Sequence, residues 1–489
     1  MEQDTLMPNM NDILILLPEL CLVVAACLLL LLDAFMAPAR RWVLHWLSIA
    51  VLLVAMYLVM AGQPEQSISA FNGMFVRDRV AEILKVFALL ATVLVFIYAR
   101  PYLIDRKLYV GEFYTLTIFA VIGIMLLVSA GSLVTVYLGL ELLTLSSYAL
   151  VALNRDSSLS SEAAIKYFVL GALASGMLLY GMSMIYGATG TLDLAQLHTA
   201  ASLHNSTPNL LLFGLIFMII GIGFKLGAAP FHMWIPDVYQ GSPTAVTIFI
   251  GSAPKLAAFG MAYRLLESGM GDPSLAHQWQ QMLAVLAVLS LAIGNLVAIV
   301  QTNLKRVLAY STISHMGYLL LGLASANSEG YAAAMFYAIS YALMGTAAFG
   351  VILALACAGF ECEEVDDLKG LNQRSPWLAF LMLLVMFSLA GVPPLFGFFA
   401  KLMVLQAAVH ANMLWLAIVG AVFAIIGLYY YLRVVKVMYF DKPVEGSEHK
   451  PQSDLSLRLV LSLNALALLV MGFCWGPLLD WCKSAFPAV

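Results

Sequence analysis

Of the 24 lysines and arginines in this 489-residue chain, five sit inside long apolar runs: Lys85, Lys166, Lys225, Lys255 and Lys401. A lysine at the centre of a bilayer costs about 2.5–3.5 kcal/mol on insertion scales, which packing alone does not require. Burial penalises the ammonium form, and a lysine so placed can gain and lose a proton during turnover. Glu141, in Tyr137-Leu138-Gly139-Leu140-Glu141-Leu142-Leu143, is the acidic counterpart. An ion pair with a lysine holds both groups charged, and separating the pair pushes the lysine's proton onward. These residue types fit a proton relay. The plainer alternative is a static buried ion pair that fixes helix packing.

The five lysines are not equivalent. Lys225, Lys255 and Lys401 each lie beside a kink or a stretch of small residues. Lys85 and Lys166 lie near the starts of their runs, where a long stem can snorkel to the interface. For Lys85 the expected partners are Glu82 and Asp78, and Glu19 and Asp33 also read as interfacial. Lys166 sits only one or two turns inside its run and stays a candidate relay group. His315, in Ser314-His315-Met316-Gly317-Tyr318, falls in a polar stretch with Ser311 and Thr312. A neutral histidine both donates and accepts, so it can hand on protons. Tyr337, Ser340 and Tyr341 recur at helical spacing and could hold water between lysines. His232 follows a proline and is expected to partner freed backbone groups.

The elements that must position these residues are membrane helices. The chain is 62% hydrophobic and 11% charged, against roughly a quarter charged in a soluble chain. Apolar runs of about 20 residues, the length that crosses a bilayer, recur from Ile13 almost to the C-terminus. Fourteen spans are expected, at about 13–36, 42–61, 79–99, 112–130, 132–153, 161–188, 208–228, 243–265, 279–301, 306–325, 329–358, 375–407, 411–438 and 456–475. Lipid leaves few other ways to satisfy so many backbone groups, and the short alternating segments of a barrel are missing. The first span follows acidic residues (Glu2, Asp4, Asp12), unlike a signal peptide. Two spans are interrupted by proline, at Gly227-Ala228-Ala229-Pro230 and at Gly391-Val392-Pro393-Pro394. Broken helices in corresponding positions point to an inverted-repeat transporter with its site near the midplane.

Basic residues alternate in sidedness. With the N-terminus outside, the inner turns collect Arg40, Arg41, Arg100, Arg106, Lys107, Arg155, Lys305, Arg306, Lys369, Arg374, Arg433, Lys436, Lys442 and Lys450. The outer turns hold Arg77, Arg79, Arg264 and Lys483. Cytoplasmic turns collect Lys and Arg, so both termini are expected on the periplasmic side of a bacterial inner membrane. The acidic run Glu361, Glu363, Glu364, Asp366 and Asp367 reads as a solvated cytoplasmic loop. Gly171-Ala172-Leu173-Ala174-Ser175-Gly176 reads as a helix-packing stripe. The net charge of −4 and the lack of a basic patch give no sign of nucleic acid. The six cysteines show no C-x-x-C spacing. With no phosphate loop and no dinucleotide fingerprint either, nucleotide and iron–sulfur chemistry is expected on other chains.

The residues also carry a family likeness. Gly223-Phe224-Lys225 through Pro230-Phe231-His232-Met233-Trp234-Ile235-Pro236-Asp237 resembles the broken seventh helix of antiporter-like subunits. Glu141 in its Leu-Gly-Leu-Glu-Leu setting, Gln301-Thr302-Asn303-Leu304-Lys305-Arg306 and Val238-Tyr239-Gln240-Gly241-Ser242-Pro243 are similar too, as are Ser314-His315-Met316-Gly317-Tyr318 and Leu428-Tyr429-Tyr430-Tyr431-Leu432-Arg433. Together they resemble the antiporter-like membrane subunits of bacterial proton-pumping NADH:quinone oxidoreductase, respiratory complex I. The likeness implies a single membrane domain over 1–489. Three helices (1–111) would precede two inverted five-helix repeats, helices 4–8 (112–265) and 9–13 (279–438), followed by helix 14 and a tail (456–489). It implies Glu141 and Lys225 as a coupling pair, Lys166 as an accessory lysine, Lys255 as the central relay and Lys401 as the terminal site. The eleventh span lacks the histidine that relatives often carry, so the link from Lys255 to Lys401 would rest on water, tyrosine or His315. The long lateral helix of the family's largest member is not expected.

The expected function is therefore a membrane-arm proton-translocating subunit. Flavin mononucleotide (FMN), iron–sulfur clusters and quinone would lie on partner subunits, with no cofactor or metal on this chain. Expected partners are other membrane-arm subunits, homologous antiporter-like ones among them, and the lipid bilayer. The alternatives are a subunit of a multi-chain Na⁺/H⁺ antiporter and a non-catalytic membrane scaffold.

Overall fold

The computed structural model describes residues 10–62, 66–203, 208–357, 359–443 and 452–487. Glu2, Asp4 and Lys450 lie outside them. Among the described residues, thirteen helices are long and apolar enough to cross a membrane. The first six crossings are α1 (Leu17–Phe35), α2 (Trp42–Ala61), α3 (Arg79–Asp105), α4 (Gly111–Val128), α5 (Leu133–Val151) and α6 (Ser158–Thr189). The seventh is α7 (Pro208–Leu226), which breaks and resumes as the short α8 (Trp234–Gly241). The eighth is α9 (Thr244–Ile250) and α10 (Ala253–Tyr263), and then come α11 (Pro273–Val300), α12 (Leu304–Ala324) and α13 (Ser328–Leu355). The two halves of the twelfth, α14 (Pro376–Ala390) and α15 (Phe396–His410), are each too short to cross alone. α16 (Leu414–Tyr439) and α17 (Leu455–Phe473) complete the bundle, and α18 (Gly476–Ser484) follows them. Every expected span has its helix, with ends displaced by a few residues.

Helix ends follow local capping chemistry. The side chains of Asp78, Ser132, Ser157, Asn303, Asn327 and Asp454 each accept a first-turn amide, meeting donors the helix cannot satisfy itself. α3, α10, α12 and α13 are enclosed on nearly all sides, while α1, α6, α16 and α17 present broad apolar faces outward. An enclosed helix cannot show an amphipathic stripe.

Four expectations need correction. The eighth span is broken as well, at Gly251-Ser252 ahead of Pro254, and ends in a π-helical turn over Arg264–Gly269. Proline two residues into α10 suits a new helix start, so the interruption costs little. Lys85 does not snorkel: it is buried on the enclosed α3, with Nζ 2.6 Å from a Glu19 carboxylate oxygen. Glu19 is buried too, rather than interfacial. The contact is within ion-pair distance, although its angle misses hydrogen-bond geometry. Finally, the acidic run is not simply solvated. Glu361 binds Tyr102 and Arg106, Glu363 binds Lys305, and Glu364 binds Asn303. A two-stranded hairpin, Ile68–Ala70 with Phe75–Arg77, joins α2 to α3.

Candidate proton-relay site

Two breaks organise the site, and they are built alike. α7 ends at Gly227, with a left-handed φ of +80°, and α14 ends at Gly391, with φ +84°. Glycine is needed at both, since an L side chain is disfavoured there. At each, the glycine amide and the next one bond the carbonyl four residues before the glycine, Gly223 in one and Phe387 in the other. A cis X-Pro bond follows each glycine at the same spacing, Ala229-Pro230 and Pro393-Pro394.

Each break leaves carbonyls with no helical partner inside the bundle, where an unmet polar group costs about 1–3 kcal/mol. At the first, Lys255 Nζ donates to Leu226 O at 2.9 Å. Trp234 Nε1 donates to Phe224 O at 3.0 Å, and the Ala229 amide donates to the Ser290 hydroxyl at 2.8 Å. His232 meets the Pro230 backbone at the same break, as expected of it, with its Nδ1 buried. At the second break, Lys401 Nζ donates to Leu389 O at 3.0 Å and to Ala390 O at 2.8 Å. Both lysines also lie 5.1 Å from the centroid of an aromatic ring, Trp234 for Lys255 and Tyr318 for Lys401. Such placement favours a cation.

Lys225, on the last turn of α7, differs from both. It is buried, and its Nζ has no hydrogen-bond partner among the described residues. It lies within electrostatic reach of Glu141 on α5 and of Lys255. Glu141 is half-buried, and its Oε1 is likewise unpartnered. No ion pair within 4.0 Å joins the two. An anion and two cations thus share one region, with the middle group unattached.

His315, on α12, is enclosed by tyrosines. Its Nδ1 lies 2.6 Å from the Tyr337 hydroxyl and its Nε2 3.1 Å from that of Tyr431. Tyr431 also bonds Ser311, and Thr312 lies 2.6 Å from the Tyr341 hydroxyl. His315 is within electrostatic reach of Lys401, but no direct contact joins it to Lys255 among the described residues. Tyr337 and Tyr341 stand where their helical spacing suggested, whereas Ser340 turns back to its own helix and bonds Phe336 O.

Lys166 stands apart. Its side chain is 45% exposed, and Nζ pairs with Asp237 at 2.8 Å and with Glu162 at 2.9 Å. Asp237 also binds Arg306 at 2.9 Å. Sequence reasoning missed Asp237, Trp234, Tyr318 and Tyr431. All four lie in the segments that carry the family likeness; in the triple tyrosine, Tyr430 and Tyr431 face inward, and Tyr429 is exposed. Among the described residues, no cluster of three or more His, Cys, Asp or Glu could hold a metal ion.

Known proteins share this architecture. The family model described as NADH:quinone oxidoreductase/Mrp antiporter, TM, matches residues 130–427, and the model for the NAD(P)H-quinone oxidoreductase subunit 2 N-terminal region matches residues 6–99. A protein of Xanthomonas euvesicatoria pv. vesicatoria named NADH-quinone oxidoreductase subunit N is 57% identical over 475 residues, covering 97% of this chain and 96% of its own. One of the same name from Thioalkalivibrio sulfidiphilus is 52% identical, covering 97% and 98%. Among solved structures, a chain of respiratory complex I from Thermus thermophilus aligns with a TM-score of 0.80 at 31% identity, over 95% of this chain and 98% of that one. A chain of the Mrp complex from Dietzia sp. aligns with a TM-score of 0.83 at 22% identity, over 98% and 97% respectively, a likeness of fold.

Proposed function

The chain belongs to the NADH:quinone oxidoreductase/Mrp antiporter membrane family, and from that premise we propose that Lys225 exchanges protons between Glu141 and Lys255, with His315 and Lys401 completing the relay. The chain is a multi-pass protein of the bacterial inner membrane. It acts as a membrane-arm, proton-translocating subunit of an NADH:quinone oxidoreductase, and its partners are the other membrane-arm subunits. FMN, iron–sulfur clusters and quinone belong to partner subunits, and both termini face the periplasm. The first three helices precede two inverted repeats over 112–265 and 279–438.

One observation carries the relay reading: Lys225 is buried without a hydrogen bond, between a carboxylate and a second lysine. A cation kept only for packing would be paired, because leaving one partner alone in the interior costs several kcal/mol. An unattached ammonium responds to its neighbours instead. Approach of Glu141 favours the charged lysine, and repulsion from a charged Lys255 favours its release of a proton. Quinone chemistry elsewhere in the complex need only shift the position or charge of Glu141 to drive transfer. Lys166, exposed and ion-paired, fits an accessory role at one end of the bundle.

The test is Lys225→Ala in the assembled complex reconstituted in vesicles. Proton pumping should collapse while assembly persists. A normal pumping rate would sink the relay reading.

A further inference from the structure

The acidic segment that follows α13 places one carboxylate at a boundary. The Glu361 side chain is 25% exposed, and Arg106 lies 3.2 Å away. The same carboxylate accepts from the Tyr102 hydroxyl at 2.7 Å and from the Thr244 hydroxyl at 3.4 Å, and both donors are buried. Lys305, the other cation nearby, is held by Glu363. Glu361 therefore touches water on one side and two interior hydroxyls on the other.

Inward from that point hydroxyls continue. Thr247 lies one turn past Thr244 on α9, where residues three apart share a face, and its hydroxyl is 2.9 Å from that of Ser242. Tyr239 follows on α8. Its carbonyl accepts from Thr247 at 3.2 Å, and its own fully buried hydroxyl lies against the hydroxyls of Thr312 and Tyr341. That hydroxyl faces the Thr312–Tyr341 pair, one helical turn from His315.

We propose that Glu361 collects protons from water on the basic face of the bundle, and that Thr244, Thr247 and Tyr239 conduct them to the Thr312–Tyr341–His315 cluster. The proposal rests on the relay reading above. A proton from water bonds to a Glu361 oxygen, and the neutral carboxyl then donates to Thr244 where the carboxylate had accepted. The Thr244 hydroxyl proton turns inward; because Thr247 meets Tyr239 at its carbonyl, water would link the hydroxyls, each of which gives one proton and receives one until the proton enters the His315 cluster. Glu361 returns to its carboxylate form, so the chain carries no net change in charge.

The experiment measures protons moved per NADH oxidised by the whole complex in vesicles. Glu361→Gln keeps an acceptor oxygen for Tyr102 and Arg106 but cannot take up a proton, so the ratio should fall severalfold. Glu361→Asp should restore most of it. Tyr239→Phe keeps the ring and removes only the hydroxyl that meets Thr312 and Tyr341, so the complex should still assemble while the ratio falls. Normal ratios in Glu361→Gln and Tyr239→Phe would overturn the route. So would a loss in Glu361→Gln that Glu361→Asp fails to restore, with Tyr239→Phe normal, since Glu361 would then be a structural clasp only. If Lys225→Ala stops pumping while these variants pump normally, the relay stands and only the intake route falls. If Lys225→Ala pumps normally too, the relay itself has failed.

Discussion

The breaks after α7 and α14 share a glycine in the left-handed region, a following cis-proline and a lysine on the freed carbonyls. They differ two residues before the glycine, where the first has Lys225 and the second has Leu389. In the second break the one lysine is spent on two carbonyls. In the first, Lys255 takes that part and Lys225 is left over, with a carboxylate in reach. The framework of a broken helix therefore needs one cation for its backbone, and a second becomes available for transport. Lys255 and Lys401 are parts of the architecture as well as of the proposed relay, whereas Lys225 answers only to other charges.

That contrast can be broken by substitution. Lys401→Met should give the largest combined effect. It strands two buried carbonyls, at about 1–3 kcal/mol each, so the melting temperature of the complex should drop along with pumping. Lys225→Ala strands none and should lose pumping with melting unchanged. Equal destabilisation by the two would refute the distinction. Glu141→Gln should be milder, because Lys225 keeps Lys255 beside it. A severalfold fall in pumping is expected, and unchanged pumping with unchanged quinone reduction would make Glu141 structural. The smallest effect is expected for Lys166→Ala, whose side chain is exposed and whose partner Asp237 keeps Arg306. A loss as large as that of Lys225→Ala would move Lys166 into the main line.

Much of this was readable from the chain. Hydrophobic run length gives the spans directly, because bilayer thickness sets it. Gly227 and Gly391, each with prolines close behind, mark the two breaks. The Gly251-Ser252 interruption was less visible, since Pro254 at a helix start leaves the run uniformly apolar. Lys225, Lys255 and Lys401 stand out by cost alone. Their division into two bound and one free does not, because it depends on which carbonyl each reaches across the bundle. Lys85 shows the same limit: its depth suggested the interface, and Glu19, 66 residues earlier in the chain, makes it a buried pair. Glu361 looked like one member of a solvated acidic run until Tyr102 and Thr244, far away in sequence, were found against it.

The most direct test of the central claim keeps the charge at position 225 and removes its proton chemistry. Arginine stays protonated in proteins, so Lys225→Arg leaves a cation facing Glu141 that cannot release a proton. Protons moved per NADH by the reconstituted complex should then be as low as in Lys225→Ala. A ratio restored to normal by arginine would show that position 225 serves as a fixed charge, and would contradict the account.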